Sequence, residues 1–398
     1  MSLLRNLQSA SRLRIRDAVV LGDHTRVNFE AGDESVSSRF HHLFLRDHSP
    51  APADLHPVTK QRLVDTFQLT QESVEPVDIA VSDHGAALVL TWPDRPDEPV
   101  AYPAGLLAAM AYDGRDGVMQ RARPVPVSDD VGAPEPVLWD ASSFPGDAAA
   151  VPYDAFMADP SGYVELLMRY GVAFVDGVPA DDAAATRHAL ERLGPLRNTI
   201  YGTFWDFEAD LDKEDTAYTD LALPAHTDGT YFATAPGYQF LHCRVLDATG
   251  GATLLVDGFA VLQQLRQVSP QAYDFFRTVA LPAHYLGDGV DMVNRDVTIR
   301  EDDEGRLVQF RWNNDDRAVL DLSFEMMPVF YEHLHTLVRL IRDAENEVRF
   351  QLTPGRLMGF DNWRVMHGRD AFRGRRVMAG AYLERDDIAS ARRVGQVE

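Results

Sequence analysis

Cysteine is almost absent from this 398-residue chain, with Cys243 the only one. A single thiol excludes an intramolecular disulfide and any zinc or iron–sulfur site built from several cysteines, and that usage fits a reducing cytoplasm. Positive charge is also scarce: 38 Lys and Arg face 61 Asp and Glu, for a net charge of −23. Such a surplus repels phosphate backbones and anionic membrane surfaces, so neither nucleic acid nor membrane is an expected partner. No apolar run reaches transmembrane length. The opening MSLLRNLQSASRLRIRD carries no apolar stretch of signal-peptide length. A soluble, cytoplasmic protein is the expectation. Internal repeats are missing too, and one Pro/Asp-rich stretch is the sole biased segment.

What is present mixes two periodicities. A chain of this length predicts two domains. Residues 1–113 read as a small β-rich accessory domain through RLRIRDAVVL, TRVNFE, VDIAVS and AALVLTW, closed by a helix in PAGLLAAMAYDG. Residues 114–150 read as a Pro/Asp-rich linker. In residues 151–398, SGYVELLMRYG and DAAATRHALERLG read as helices, the second behind Asp181 as N-cap. YQFLHCRV and ATLLVDGF read as strands joined through Gly250–Gly251, and DVTIREDDEGRLVQFRW as a hairpin turning at Glu304–Gly305. A long amphipathic helix follows in FEMMPVFYEHLHTLVRLIRDAE, then two last strands, RLMGFDNWRVMHG and RRVMAGAYLER. Many short strands, few large helices and no repeating βαβ unit predict a mainly β domain with helices, a double-stranded β-helix or jelly roll.

Pro224-Ala225-His226-Thr227-Asp228-Gly229 sets a histidine and an aspartate two residues apart, on one face if the backbone is extended. His367, in WRVMHGR, is the best third ligand. Two imidazoles and a carboxylate form the facial triad of non-heme iron oxygenases and leave positions for a bidentate 2-oxo acid and O2. An H-x-D pair alone is common; company makes this one informative. Arg376, expected on the antiparallel strand next to His367, offers a planar cation for an anionic cosubstrate, and Thr253 offers a hydroxyl to the same carboxylate.

HTDGTYFATAPGYQFLHC, TGGATLLVDGF, WNNDDRAV and DNWRVMHGRDAFRG together resemble the γ-butyrobetaine hydroxylase and trimethyllysine hydroxylase family, over about residues 160 to 393 and closest to the trimethyllysine branch. The resemblance implies a jelly-roll core, Fe(II), 2-oxoglutarate, O2, ascorbate as a candidate reductant, and a homodimer. It also implies His226, Asp228 and His367 as iron ligands, Arg376 for 2-oxoglutarate and Leu241 lining that pocket. FLRDH and QRLVDT resemble the family's accessory domain. Many relatives carry zinc-binding cysteines there, whereas this chain has Ser49, Ala51, Ala53 and Asp54; no structural zinc is expected.

Tyr201, Trp205, Tyr218 and Tyr382 match the aromatic cage that this family closes around a trimethylammonium group. Such a group cannot donate a hydrogen bond, so ring quadrupoles must recognise it. Asp215 matches the position that meets the amino-acid end of trimethyllysine. Asn294 and Arg295, in an expected loop, and Asn313, Asn314 and Arg317, after the hairpin, are available for an anionic tail. The leading expectation is hydroxylation of 2-(trimethylammonio)ethylphosphonate next to phosphorus. N6-trimethyllysine follows closely, then γ-butyrobetaine. A catalytically silent binding module that keeps the triad by descent is the reading from another class.

Overall fold

The computed structural model describes residues 13–113, 134–208 and 220–395. The chain divides into two units, the first within Met1–Val131 and the second spanning Gly132–Gly395.

In the first unit, period-two alternation does the sorting. Strand β1 (Leu13–Leu21) buries Leu13 and Ile15 while Arg14 and Arg16 face solvent. It pairs antiparallel with β2 (His24–Ala31), which pairs with β3 (Glu34–His41), and Phe29 and Phe40 point inward from these two. A second antiparallel sheet of β4 (Asp78–Val81), β5 (Ala87–Thr91) and β6 (Val100–Pro103) adds Leu88, Leu90 and Tyr102 to the same core. The expected helix forms over Ala104–Met110 and contributes Leu107. Where relatives were expected to carry zinc cysteines, Asp54 is buried and ion-paired. Arg46 Nη1 lies 3.1 Å away, Arg95 Nη2 lies 3.0 Å away, and the Ser49 hydroxyl donates to it at 2.7 Å.

The second unit opens with β7 (Ala150–Pro152) beside β8 (Val172–Asp176), separated by two helices, the second of which Gly171 ends at φ 71°. Its described residues before β7 are anchored on it: the Trp139 indole donates to the Tyr170 carbonyl at 2.8 Å. Asp182, one residue beyond the expected Asp181, caps the helix Ala183–Glu191 by accepting from Ala184 N–H at 2.8 Å. Strands β9 (Trp205–Glu208), β10 (Leu223–His226), β11 (Tyr238–Gly250) and β12 (Thr253–Asp257) follow. Two hairpins come next, β13 (Leu281–Gly287) with β14 (Val290–Asp296), and β15 (Ile299–Glu301) with β16 (Leu307–Phe310). After the long helix Met326–Ile341, the chain ends on β17 (Val348–Phe350), β18 (Arg356–Asp361), β19 (Val365–Arg369), β20 (Phe372–Leu383) and a last helix.

These strands build two main sheets, one in the order β7-β8-β18-β11-β20-β9 and one in the order β10-β19-β12-β17. RLMGFDNWRVMHG is therefore two strands in different sheets, with the switch at Asn362–Arg364. Arg364 fixes that switch: its buried guanidinium meets Asp257 Oδ2 at 2.7 Å, and its carbonyl accepts from Gly258 N–H at 2.9 Å. Asp257 in turn caps the helix Gly258–Val268 through Phe259 N–H. Side chains of both sheets, among them Cys243, Leu255, Phe360, Val365 and Met378, share one core cluster. The long helix, β16 and the helices after β12 make a second core outside the smaller sheet.

Candidate active site

A cavity of about 370 Å³ lies between these two sheets and receives side chains from both. The wall that carries His226 and His367 is set by strand register. Antiparallel pairing of β10 with β19 puts His226 directly opposite His367. Gly368 permits the close approach, because a Cβ there would sit 2.4 Å from the Leu223 carbonyl oxygen. Asp228 lies beyond the end of β10, in a turn that Gly229 completes at φ 69°. Asn362, at the sheet switch, clamps that turn: it accepts from Asp228 N–H at 2.7 Å and donates to the Asp228 carbonyl at 3.1 Å.

The three side chains converge. His226 Nε2 and His367 Nε2 stand 3.3 Å and 3.5 Å from Asp228 Oδ1, and the imidazole centroids are 4.4 Å apart. Among the described residues this is the one group of three His, Cys, Asp or Glu whose ligand atoms gather, all within 4.8 Å. The His226 Nδ1–H donates to the Pro224 carbonyl at 2.8 Å, which fixes the ring and presents Nε2. Burial disfavours the imidazolium, yet the Asp228 carboxylate overrides it and raises His226 to about 9. Burial likewise works against charge on Asp228, and the two imidazoles overcome it, holding that carboxyl well below its usual range. His367 is pushed down by burial. A proton thus occupies the place where two nitrogens and one oxygen suit a divalent cation, and metal binding would displace it. The donor set fits iron(II).

Next to the triad the cavity is cationic. On β20, Arg376, Met378 and Tyr382 alternate onto the cavity face, and Leu241 joins them from β11. The expected neighbour relation between Arg376 and His367 needs correcting: β20 pairs with β11 and β9, so Arg376 reaches the site from the opposite sheet. Sequence reasoning missed a second guanidinium, Arg369. It follows His367 on β19 at the same-face spacing, a readable signal, and stands opposite Thr253 in the β12 register. Burial lowers both arginines, Arg369 to about 10 with the Arg376 charge adding to the effect. Both remain cations at neutral pH, a pair that calls for an anion.

The other end is aromatic. Trp205 packs edge-on to Tyr382 with centroids 4.5 Å apart. Tyr201 shares a 2.7 Å hydroxyl contact with Tyr231, whose ring lies 5.0 Å from Tyr285. Tyr231 and Tyr285 were not singled out from sequence. Tyr382 has a further task, since its hydroxyl donates to Asp228 Oδ2 at 2.5 Å. Asp215 and Tyr218 lie outside the described residues.

Asn294 and Arg295 do not reach the cavity. They sit on β14 rather than in a loop; Asn294 donates to the Thr230 carbonyl at 3.3 Å, and the exposed Arg295 pairs with Asp321. Asn313 does line the cavity. Arg317 turns away, its guanidinium 5.4 Å from the Phe330 ring centroid.

Residues 150–382 match the taurine catabolism dioxygenase TauD, TfdA family, and the chain belongs to that family. It is an enzyme, a dioxygenase that uses Fe(II), 2-oxoglutarate and O2. Within the family it is 33% identical to mitochondrial trimethyllysine dioxygenase of Bos taurus over 377 residues, 92% of this chain and 85% of that protein. Trimethyllysine dioxygenase of Meyerozyma guilliermondii is 31% identical over 385 residues, 93% of this chain and 92% of that protein. Gamma-butyrobetaine dioxygenase of a Pseudomonas species is 31% identical, with 89% of each chain covered. No helix among the described residues is long and apolar enough to cross a membrane.

Proposed function

We propose that this dioxygenase hydroxylates a small trimethylammonium compound, with N6-trimethyllysine the favoured substrate and γ-butyrobetaine second. One observation carries the reading. One cavity brings together the triad, the two arginines Arg369 and Arg376, a set of aromatic rings and the carboxylate of Asp316. In this reading His226, Asp228 and His367 hold iron, Arg376, Arg369 and Thr253 bind the far carboxylate of 2-oxoglutarate, and Leu241 packs on its chain. When bound, iron with 2-oxoglutarate and O2 supplies the oxidising power that replaces C–H by C–OH, with succinate and CO2 as coproducts. The protein orients one substrate carbon and keeps water out. The two main sheets are read as the jelly roll, and the family resemblance adds a homodimer.

Trp205, Tyr201 and their neighbours suit a quaternary ammonium, which each desolvated ring stabilises by about 0.5–2 kcal/mol. The phosphonate substrate, the leading expectation from sequence, is not supported. Asn294 and Arg295, offered for its dianion, lie outside the cavity, and the relatives above are named for trimethyllysine and butyrobetaine. The cavity-lining guanidiniums, those of Arg369 and Arg376, are taken by the cosubstrate in this reading.

Succinate release with Fe(II) and 2-oxoglutarate, measured for N6-trimethyllysine, γ-butyrobetaine, 2-(trimethylammonio)ethylphosphonate and unmethylated lysine, tests it. Trimethyllysine should give the highest kcat/KM and lysine the lowest. Lysine turnover equal to that of trimethyllysine would reject the aromatic cage.

A further inference from the structure

The cavity also holds a carboxylate with no role so far, that of Asp316. Its backbone is fixed from two sides. Thr227 N–H donates to the Trp312 carbonyl at 2.7 Å and Trp312 N–H donates to Thr227 Oγ1 at 2.9 Å, tying this segment to the turn that bears Asp228. From β13, His284 N–H donates to the Asp316 carbonyl at 2.8 Å. The Thr230 hydroxyl donates to Asp316 Oδ2 at 2.8 Å, and the Thr230 backbone N–H also favours the carboxylate. No Lys or Arg of the described residues lies within ion-pair distance, and the adjacent Arg317 stacks elsewhere on Phe330. Burial pushes the Asp316 carboxyl up to about 6, outweighing the Thr230 hydroxyl and the His226 imidazolium, which act the other way, while the charge of Asp228 adds to the rise. A half-buried acid without a direct ion pair destabilises the folded chain. Acids held at such a cost gather at functional sites. Iron in the triad would hold Asp316 as the anion.

We propose that Asp316 is a specificity-determining residue of the substrate cavity, pairing with a cationic nitrogen of the substrate. This rests on the proposed function. Tyr231 and Tyr285, on the elements that hold Asp316, line the same cavity. A cation placed there gains ring quadrupoles and a full negative charge in a low-dielectric site. An anionic group would meet repulsion instead.

Asp316→Asn keeps an acceptor for Thr230 and removes the charge. Succinate release is compared for N6-trimethyllysine and for 6-(trimethylammonio)hexanoate, which lacks the α-amino group, with the KM for 2-oxoglutarate as control. The KM for trimethyllysine should rise ~10-fold or more, with kcat within about twofold and the 2-oxoglutarate KM unchanged. A rise confined to trimethyllysine assigns Asp316 to the α-ammonium, and an equal rise for both assigns it to the trimethylammonium group. Unchanged KM for both substrates, or an equal rise for 2-oxoglutarate, overturns the proposal. Failure of the wild-type enzyme to turn over any trimethylammonium compound would reject the proposed function instead. Binding of tetramethylammonium and of methylammonium, read by intrinsic fluorescence, then tests Asp316 alone: weaker binding of either cation by the variant supports the pairing, and equal binding of both overturns it.

Discussion

His226, His367, Thr253 and Arg376 stand on strands, whereas Tyr201, Tyr231 and Asp316 stand on the connections between strands. Both groups line one cavity, yet they are held by different means. On the strand side, hydrogen-bonded register fixes each side chain: His226 faces His367 because β10 and β19 pair, and Thr253 faces Arg369 because β12 and β19 pair. On the connection side, single contacts do the holding, such as the Thr230 hydroxyl on Asp316 or the Tyr201–Tyr231 hydroxyl contact. A rigid scaffold that carries the invariable chemistry can keep that chemistry while its connections change what is bound.

The strongest way to break this division is Asp228→Ala, which removes the one oxygen that both imidazoles share. Iron binding and substrate-dependent succinate formation should fall to background, while tetramethylammonium binding on the connection side persists. Anaerobic Fe(II) with 2-oxoglutarate should give a visible charge-transfer band with the wild type and none with the variant. Retained turnover would mean that the metal is held elsewhere.

Tyr382 belongs to both sides and so sharpens the contrast. Its ring packs on Trp205 while its hydroxyl donates to Asp228 Oδ2. Tyr382→Phe keeps the ring and deletes the bond that orients Asp228, a proposed metal ligand. Outer partners of this kind are worth about 10–100-fold in metal affinity or activity. That loss is expected in the Fe(II) titration, with the substrate KM changed by less than about threefold. A large KM change with intact iron affinity would place Tyr382 wholly in the cage.

The same division explains what was legible in the sequence. His226 and Asp228 are two residues apart, so their proximity was readable, although Asp228 lies in a turn held by Asn362 and not on an extended strand. The β11 and β20 strands, the Gly250–Gly251 turn and the β15–β16 hairpin carry local signals, and all form where the pattern places them. Sheet membership is not local. Arg376 was assigned the strand beside His367, but the switch at Asn362–Arg364, which depends on Asp257 far along the chain, sends only β19 to the smaller sheet, and β20 returns to the larger one. Asn294 and Arg295 were misread as loop although VDMVNRD alternates outward and inward as a strand should. Asp316 lies in the WNNDDRAV motif but was not singled out, since its contacts with Thr230 and His284 come from segments that sequence cannot bring to it.

Asp316 provides the smallest and most discriminating expected effect, because here the connection side should lose function and gain stability. Its folded-state carboxyl titrates near 6 against an ordinary value of 3.8, so between those values the folded chain binds the proton more tightly than the unfolded chain. Stability therefore falls as pH rises through that window, and the deficit is full above it. One pH unit between the folded and unfolded titrations corresponds to about 1.4 kcal/mol. Partial exposure of the carboxylate reduces the net deficit to about 1–2 kcal/mol. Asp316→Asn carries no titrating proton. In chelated protein it should raise the unfolding midpoint by about 2–6 °C at pH 7.5, with the gain shrinking toward zero near pH 4. A variant no more stable than wild type at pH 7.5 would show that Asp316 already has its counter-charge within the folded chain.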